Sequence, residues 1–260
     1  MNIKILFIGD IVGRAGRKAL EIFLPQIKNE YSPDFVIANV ENSAGTSGIT
    51  FKVYEEIRNL GVDIMTSGNH IFAKKEVFNF IDETPYLLRP INFPEGVPGK
   101  GFNIYKKENK EIGVINCIGR VFLGEYDCPI RGTEKILREI DGIPVIIDFH
   151  GEVTSEKIIF ADYFDGKVIA VIGTHTHVQT TDLRILKNGT LFISDIGMTG
   201  SFDSIIGVEK ESAFKRMRYL LPAKFEAGKE NIGINAIYFE FNPFSKKIIF
   251  AEIINKGGAM

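Results

Sequence analysis

The chain has 260 residues, enough to bury a sizeable core as one large domain or two small ones. Its 45% hydrophobic and 25% charged residues are those of an ordinary globular protein, and a net charge of −2 gives no electrostatic case for an extended nucleic-acid groove or a polybasic membrane patch. That balance leaves a nucleotide-sized substrate open.

In chain order, MNIKILFIGD reads as a first strand, too short and too soon acidic for a secretory signal. Residues 14–30 place Ala15, Ala19, Leu20, Phe23, Leu24 and Ile27 at three- and four-residue spacing, which predicts an amphipathic helix. DFVIANV and VDIMTS read as strands, with a weaker helical pattern at 52–60 between them. Residues 90–101, PINFPEGVPGKG, form the clearest loop and could separate the two halves of a sandwich. The strands IGVINCI, PVIIDF, VIAVIG and TLFISD follow, with weaker helical patterns at 133–140 and 154–164. INAIYFEF and KKIIFAEII end the chain without a helix between them, predicting an antiparallel hairpin that closes the sheet.

Short apolar runs alternating with amphipathic ones predict a layered α/β architecture. No internal repeat appears, and residues 1–260 read as a single domain. No apolar run approaches the roughly 18 residues of a membrane-spanning helix. Cys117 and Cys128 form no CxxC pair and read as reduced thiols of a cytoplasmic protein.

Five of the apolar runs end in residues able to bind a metal. They deliver Asp10, then Glu41 and Asn42, then Asn69 and His70, then His150, and finally His175 and His177. Carboxyl ends of strands in open α/β sheets border the crevice where ligands bind, so a shared sheet would bring these eight side chains to one rim. Each has an ordinary explanation: Asp10 as a helix cap, Glu41-Asn42 and Asn69 as turn formers, His150 as a core histidine, and His175 and His177 on an exposed strand face. Yet all four histidines fall at strand ends, which metal binding explains with one cause. On an extended segment His175 and His177 would point the same way with rings several ångströms apart, suiting one ligand for each of two metals, with Thr176 turned towards the body of the fold. The segment GDIVGRAG lacks the dinucleotide fingerprint, because Ile11 stands in place of its second glycine. Gly13 and Gly16 instead suit a tight turn and close helix packing.

These segments resemble the calcineurin-like metallophosphoesterase superfamily: GD at 9–10, GNH at 68–70, FHGE at 149–152 and GTHTH at 173–177. They are more similar still to its YmdB-like bacterial branch, through FIGDIVGRAGR, VENSAGTSGIT, SGNHIF, DFHGEVTSEK, GTHTHVQT and DIGMTGSFDSIIGVEKE. Two departures from the wider superfamily, Val12 where a ligand histidine is usual and NVEN in place of GDxxD, are features of that branch. The resemblance implies an α/β/β/α sandwich of two mixed sheets flanked by helices. It also implies two metals bridged by Glu41, with Asp10, Asn42 and His177 completing one site and Asn69, His150 and His175 the other. His70 would be the proton donor. Iron or manganese and cyclic 2′,3′- or 3′,5′-nucleotides are what the family implies as metals and substrates.

Mixed imidazole, carboxylate and amide donors suit iron, manganese or zinc better than calcium or magnesium, and no cysteine accompanies them. Only Asp10 and Glu41 of the seven implied ligands are anionic, so two divalent ions would leave a local charge of about +2 that favours an anionic phosphoester. The expected reaction is attack by metal-activated hydroxide on a small phosphodiester, with His70 protonating the departing oxygen. A phosphomonoesterase or nucleotidase on the same site is the alternative, as is a metal-bound regulatory module that binds a nucleotide or protein. A homo-oligomer is compatible with the sequence. Arg120 and the 197–204 loop are weaker candidates for contact with phosphate or base, with Thr199 and Ser201 shaping the loop's turn.

Overall fold

Along the first strand the side chains alternate between two cores: Ile3, Ile5 and Phe7 face one, and Leu6 and Ile8 face the other. A strand buried on both sides reads as a continuous apolar run, which is why this one was legible. The structure is a computed structural model describing residues 2–222 and 224–258. Its strands are β1 (Ile3–Ile8), β2 (Asp10–Ile11), β3 (Phe35–Asn39), β4 (Ile64–Thr66), β5 (Phe102–Lys107), β6 (Lys110–Ile118) and β7 (Val145–His150). They continue with β8 (Ala170–Thr174), β9 (Arg184–Ile185), β10 (Leu191–Ile193), β11 (Met198–Ser201), β12 (Ile232–Phe241) and β13 (Ile248–Gly257). The helices are α1 (Gly13–Tyr31), α2 (Phe51–Asn59), α3 (Pro129–Glu139), α4 (Thr154–Tyr163) and α5 (Lys210–Tyr219).

Two mixed sheets form. The first runs β2-β11-β12-β1-β3-β4, with β13 along β12; the second runs β5-β6-β7-β8-β10-β9. Between them lies a core built by Ile5, Phe7, Phe35 and Phe239 of the first sheet and Val114, Ile146, Ile172 and Ile193 of the second. The outer face of the first sheet packs on Leu20, Leu24 and Ile27 of α1 and Ile57 of α2. That of the second packs on Ile136 of α3 and Phe160 and Ala161 of α4. The architecture is therefore the expected α/β/β/α sandwich.

Every strand and helix read from the sequence is present, and β12 and β13 pair as the antiparallel hairpin. The 90–101 loop does carry the chain from the first sheet to the second, but the sheets are not successive halves. After β10 the chain returns, and β11, β12 and β13 all join the first sheet. The helix α5 had no counterpart in the sequence reading, because none of its side chains is buried and no apolar stripe marks it.

At the start of α1, Gly13 takes a left-handed φ of 56° and Gly16 lies against the backbone of β11. A Cβ at Gly16 would stand 2.4 Å from the Thr199 carbonyl oxygen. Gly132 in α3 has no neighbour closer than 3.6 Å at the same position. Gly16→Ala should therefore destabilise the protein by about 1–3 kcal/mol through overpacking. Gly132→Ala should be neutral or stabilising by roughly 0.5–1 kcal/mol through helix propensity. Denaturant midpoints of the two variants check the contrast.

Candidate metal centre

The strands do not share one sheet: β1 (through the short β2 that follows it), β3 and β4 of the first sheet and β7 and β8 of the second together deliver the polar residues to one rim of the sandwich. Glu41, just past β3, is 1% exposed and sits at the middle. Its Oε1 lies 3.1 Å from Nε2 of His150 at the end of β7, and its Oε2 accepts the His70 backbone N–H at 2.8 Å. His150 Nε2 is also 3.0 Å from His175 Nδ1. One ligating atom from each of Glu41, His150 and His175 fits within 4.8 Å of the others. On the other side of Glu41, Asn42 Nδ2 is 3.4 Å from Glu41 Oε1 and 3.2 Å from His177 Nε2. Asp10, fully buried, accepts the His175 backbone N–H at 3.2 Å through Oδ2 and places Oδ1 3.8 Å from His177 Nε2. Asn69 stands between Gly68 and His70, both of which press on Glu41.

Each of the three clustered histidines has one ring nitrogen tied outward. His177 Nδ1 donates to the Ile206 carbonyl at 2.7 Å, an atom that can only accept, so the proton is on Nδ1 and Nε2 offers a lone pair inward. His175 Nε2 faces the Glu152 carboxylate at 3.0 Å, which leaves Nδ1 turned to the cluster. His150 Nδ1 is 2.9 Å from Thr174 Oγ1, whose own proton goes to Asp148 at 2.7 Å. Asn39 Nδ2 also donates to Asp148, at 3.1 Å. Outward anchoring of one nitrogen is how proteins orient imidazoles that bind metal with the other.

The electrostatics show how strongly the two buried carboxylates call for positive charge, which a proton on His150 supplies in the metal-free protein and a metal ion would replace. Burial disfavours the charge on Glu41, but His150 and His70 overcome it and hold the carboxyl down at about 2. Burial likewise opposes a charged His150 ring, yet Glu41, Asp10 and Asp148 raise it to about 9. Burial and the His150 charge push His175 down to about 3. Asp10, its burial only partly offset by His177 and His150, is pushed up. Asp10 Oδ1 and Asn69 Oδ1 are buried with no hydrogen-bond partner among the described residues. Such orphaned acceptors cost about 1–3 kcal/mol each unless a cation meets them. A Cβ at Gly68 would stand 2.2 Å from His150 Cδ2 and 2.5 Å from Glu41 Oε2, so only glycine leaves the cradle open. Orphaned oxygens, inward lone pairs and a thiolate-free N/O donor set fit transition-metal ions.

A model of the YmdB-like protein family matches residues 6–254. The chain belongs to the YmdB-like family. It is 45% identical over 253 residues to a Bacillus subtilis (strain 168) protein named 2′,3′-cyclic-nucleotide 2′-phosphodiesterase, covering 96% of each chain. It is also similar to a hypothetical protein from Thermus thermophilus, at 36% identity and TM-score 0.93, covering 99% of this chain and 100% of that one. A structure described as a novel phosphatase from Mycoplasma pneumoniae matches at 32% identity and TM-score 0.93, covering 99% and 94%.

One expectation of this YmdB-like chain needs correcting. The segment carrying His175 and His177 is not extended: β8 ends at Thr174, and the two histidines take φ of 106° and 66°. They reach opposite sides of Glu41 because the chain turns between them, and Thr176 is half-buried rather than directed into the core. What holds the turn was absent from the sequence reading. Asp195 Oδ2 accepts the Thr176 N–H at 2.9 Å, and Lys157 Nζ bridges Asp195 Oδ2 and the Thr174 carbonyl, each at 2.9 Å. Lys157 and Asp195 are each 1% exposed. A signal was present: Lys157 occupies an apolar position of α4, in register with buried Phe160 and Ala161. Glu152 stood within the quoted FHGE without a role.

Arg120 is exposed, and its backbone N–H caps onto Glu156. Residues 197–204 are not all loop: Thr199 and Ser201 lie in β11 and donate to the backbone carbonyls of Asn235 and Glu230. Among the described residues no helix is long and apolar enough to cross a membrane. Lys157→Met strands Asp195 as a buried, unpaired charge and should cost about 3–5 kcal/mol. Chemical denaturation measures that loss, and recovery of stability in Lys157→Met/Asp195→Asn would assign it to the pair.

Proposed function

We propose that the protein is a dinuclear metal-dependent phosphodiesterase that hydrolyses small phosphodiesters, cyclic 2′,3′- or 3′,5′-nucleotides foremost, in the cytoplasm and through one domain. The observation that carries this reading is the set of three histidines, each anchored outward by one nitrogen, whose other nitrogens turn toward Glu41 (His150 and His175) or Asp10 (His177). Asp10, Asn42 and His177 would hold one ion, Asn69, His150 and His175 the other, with Glu41 between them. Bound there, two transition-metal ions, iron or manganese before zinc, supply a lowered pKa for water and positive charge beside the phosphoryl oxygens.

The chain's own contribution is positioning and proton handling. Asp10 and Glu41 are the two anionic members of the set, so the loaded site retains a positive balance that draws an anionic ester. The His70 backbone is fixed on Glu41 Oε2, which leaves its ring half-exposed beside the centre. From there the ring supplies a proton to the departing ester oxygen, which in a cyclic diester stays attached to the sugar. The name of the Bacillus subtilis relative supports a diester substrate. That of the Mycoplasma pneumoniae structure supports the second reading, a phosphomonoesterase on the same residues.

Bis-p-nitrophenyl phosphate should be turned over faster than p-nitrophenyl phosphate, and the reverse order would favour the monoesterase. His70→Ala should lower kcat by about 10²–10⁴ while metal analysis still finds the wild-type content. Undiminished turnover would remove His70 from the proposed reaction.

A further inference from the structure

A second cavity lies near the candidate metal centre. At the N-terminal end of α1, an open cavity of about 580 Å³ is bounded by the first turns of that helix, residues 45–46, residues 224–229 and Ile232. Five cations line it: Arg14, Arg17, Lys18, Lys224 and Lys229, of which Lys18 is paired with Glu21 at 2.8 Å. Arg17 is paired with Glu56 at 2.9 Å, whereas Arg14, Lys224 and Lys229 have no carboxylate partner among the described residues. Glu226 is the one acid on the cation-lined wall. The cavity also has an apolar part, formed by Phe225 and Ile232. Its size is that of small-molecule sites, and cations beside an aromatic ring suit a ligand with a phosphate at one end and a flat base at the other.

None of the candidate metal ligands lines this cavity, yet three hydrogen bonds join its surroundings to the segments that carry or anchor those ligands. Gly13 N–H donates to the Asn42 carbonyl at 2.9 Å, and Arg17 donates to the Ser43 carbonyl. On the opposite side Gly228 N–H donates to the Gly207 carbonyl at 2.9 Å, next to the Ile206 carbonyl that anchors His177. We infer that this cavity is a second anion site that binds the phosphate of a nucleoside phosphate, with the base against Phe225. The phosphate belongs either to a separate nucleotide effector or to the far end of a substrate bearing two phosphates. The binding claim stands apart from the proposed hydrolysis, because the cavity contains no metal ligand.

The test uses full-length protein treated with chelator and titrated calorimetrically with adenosine 5′-monophosphate. The wild type should bind, and Arg14→Ala/Lys229→Ala should weaken binding about tenfold or more through loss of two charged contacts. Both residues are exposed, so circular dichroism and turnover of bis-p-nitrophenyl phosphate should match the wild type. Metal-loaded protein then distinguishes the sources. An effector changes bis-p-nitrophenyl phosphate turnover in the wild type and not in the double variant. A substrate subsite instead raises KM in the double variant for a 5′-phosphorylated dinucleotide, leaving the one-phosphate ester unaffected. Absence of binding to chelated wild type, or equal binding by the double variant, overturns the inference.

Discussion

The rest of the rim depends on two carboxylates, Asp10 and Glu41, buried where almost no water reaches them. An isolated buried carboxylate costs several kcal/mol, so its neighbours must supply compensating charge and hydrogen bonds. Here His150 lies against Glu41, the His70 and His175 backbones donate to the two carboxylates, and Gly68 gives up a side chain to leave room. Behind them a further layer (Asp148, Thr174, Asn39, Lys157 and Asp195) keeps the imidazoles and the turn in place. The polar layer is continuous from the sheet ends into the sandwich, and one Asp10 oxygen accepts no hydrogen bond from any described residue.

Much of the fold was legible because its central strands are buried on both faces, which makes each an unbroken apolar run with a conspicuous polar end. What fell outside that rule was missed. The strands β2 and β11 span two and four residues, too short for a period to show, and β2 carries Asp10 at the sheet margin beside β11. The helix α5 rests on the surface and has no buried face to announce it. The eight rim residues could be named from their places at strand ends, but the bend between His175 and His177 could not. It is imposed by Asp195, eighteen positions beyond His177, through a hydrogen bond that no local pattern contains.

Net charge gave a partial view of the electrostatics. A balance of −2 describes the whole chain, whereas the folded molecule segregates its charges. Acids are buried at the rim, and cations whose sequence positions are some two hundred residues apart gather at the start of α1. Composition bounds long-range attraction to a polyanion, but it says little about a cavity the size of one small molecule.

The position of β1 between β3 and β12 bears on the order in which the protein can assemble as it leaves the ribosome. β1 finds its parallel neighbour soon, at residues 35–38, but its antiparallel neighbour is residues 236–241. Asp10 waits as well, since the strand beside it begins at Met198. A nascent chain therefore holds a half-paired sheet edge through most of its synthesis, and the closing contacts carry the entropy of a very large loop. The candidate site's first residue to be made is among the last to be enclosed.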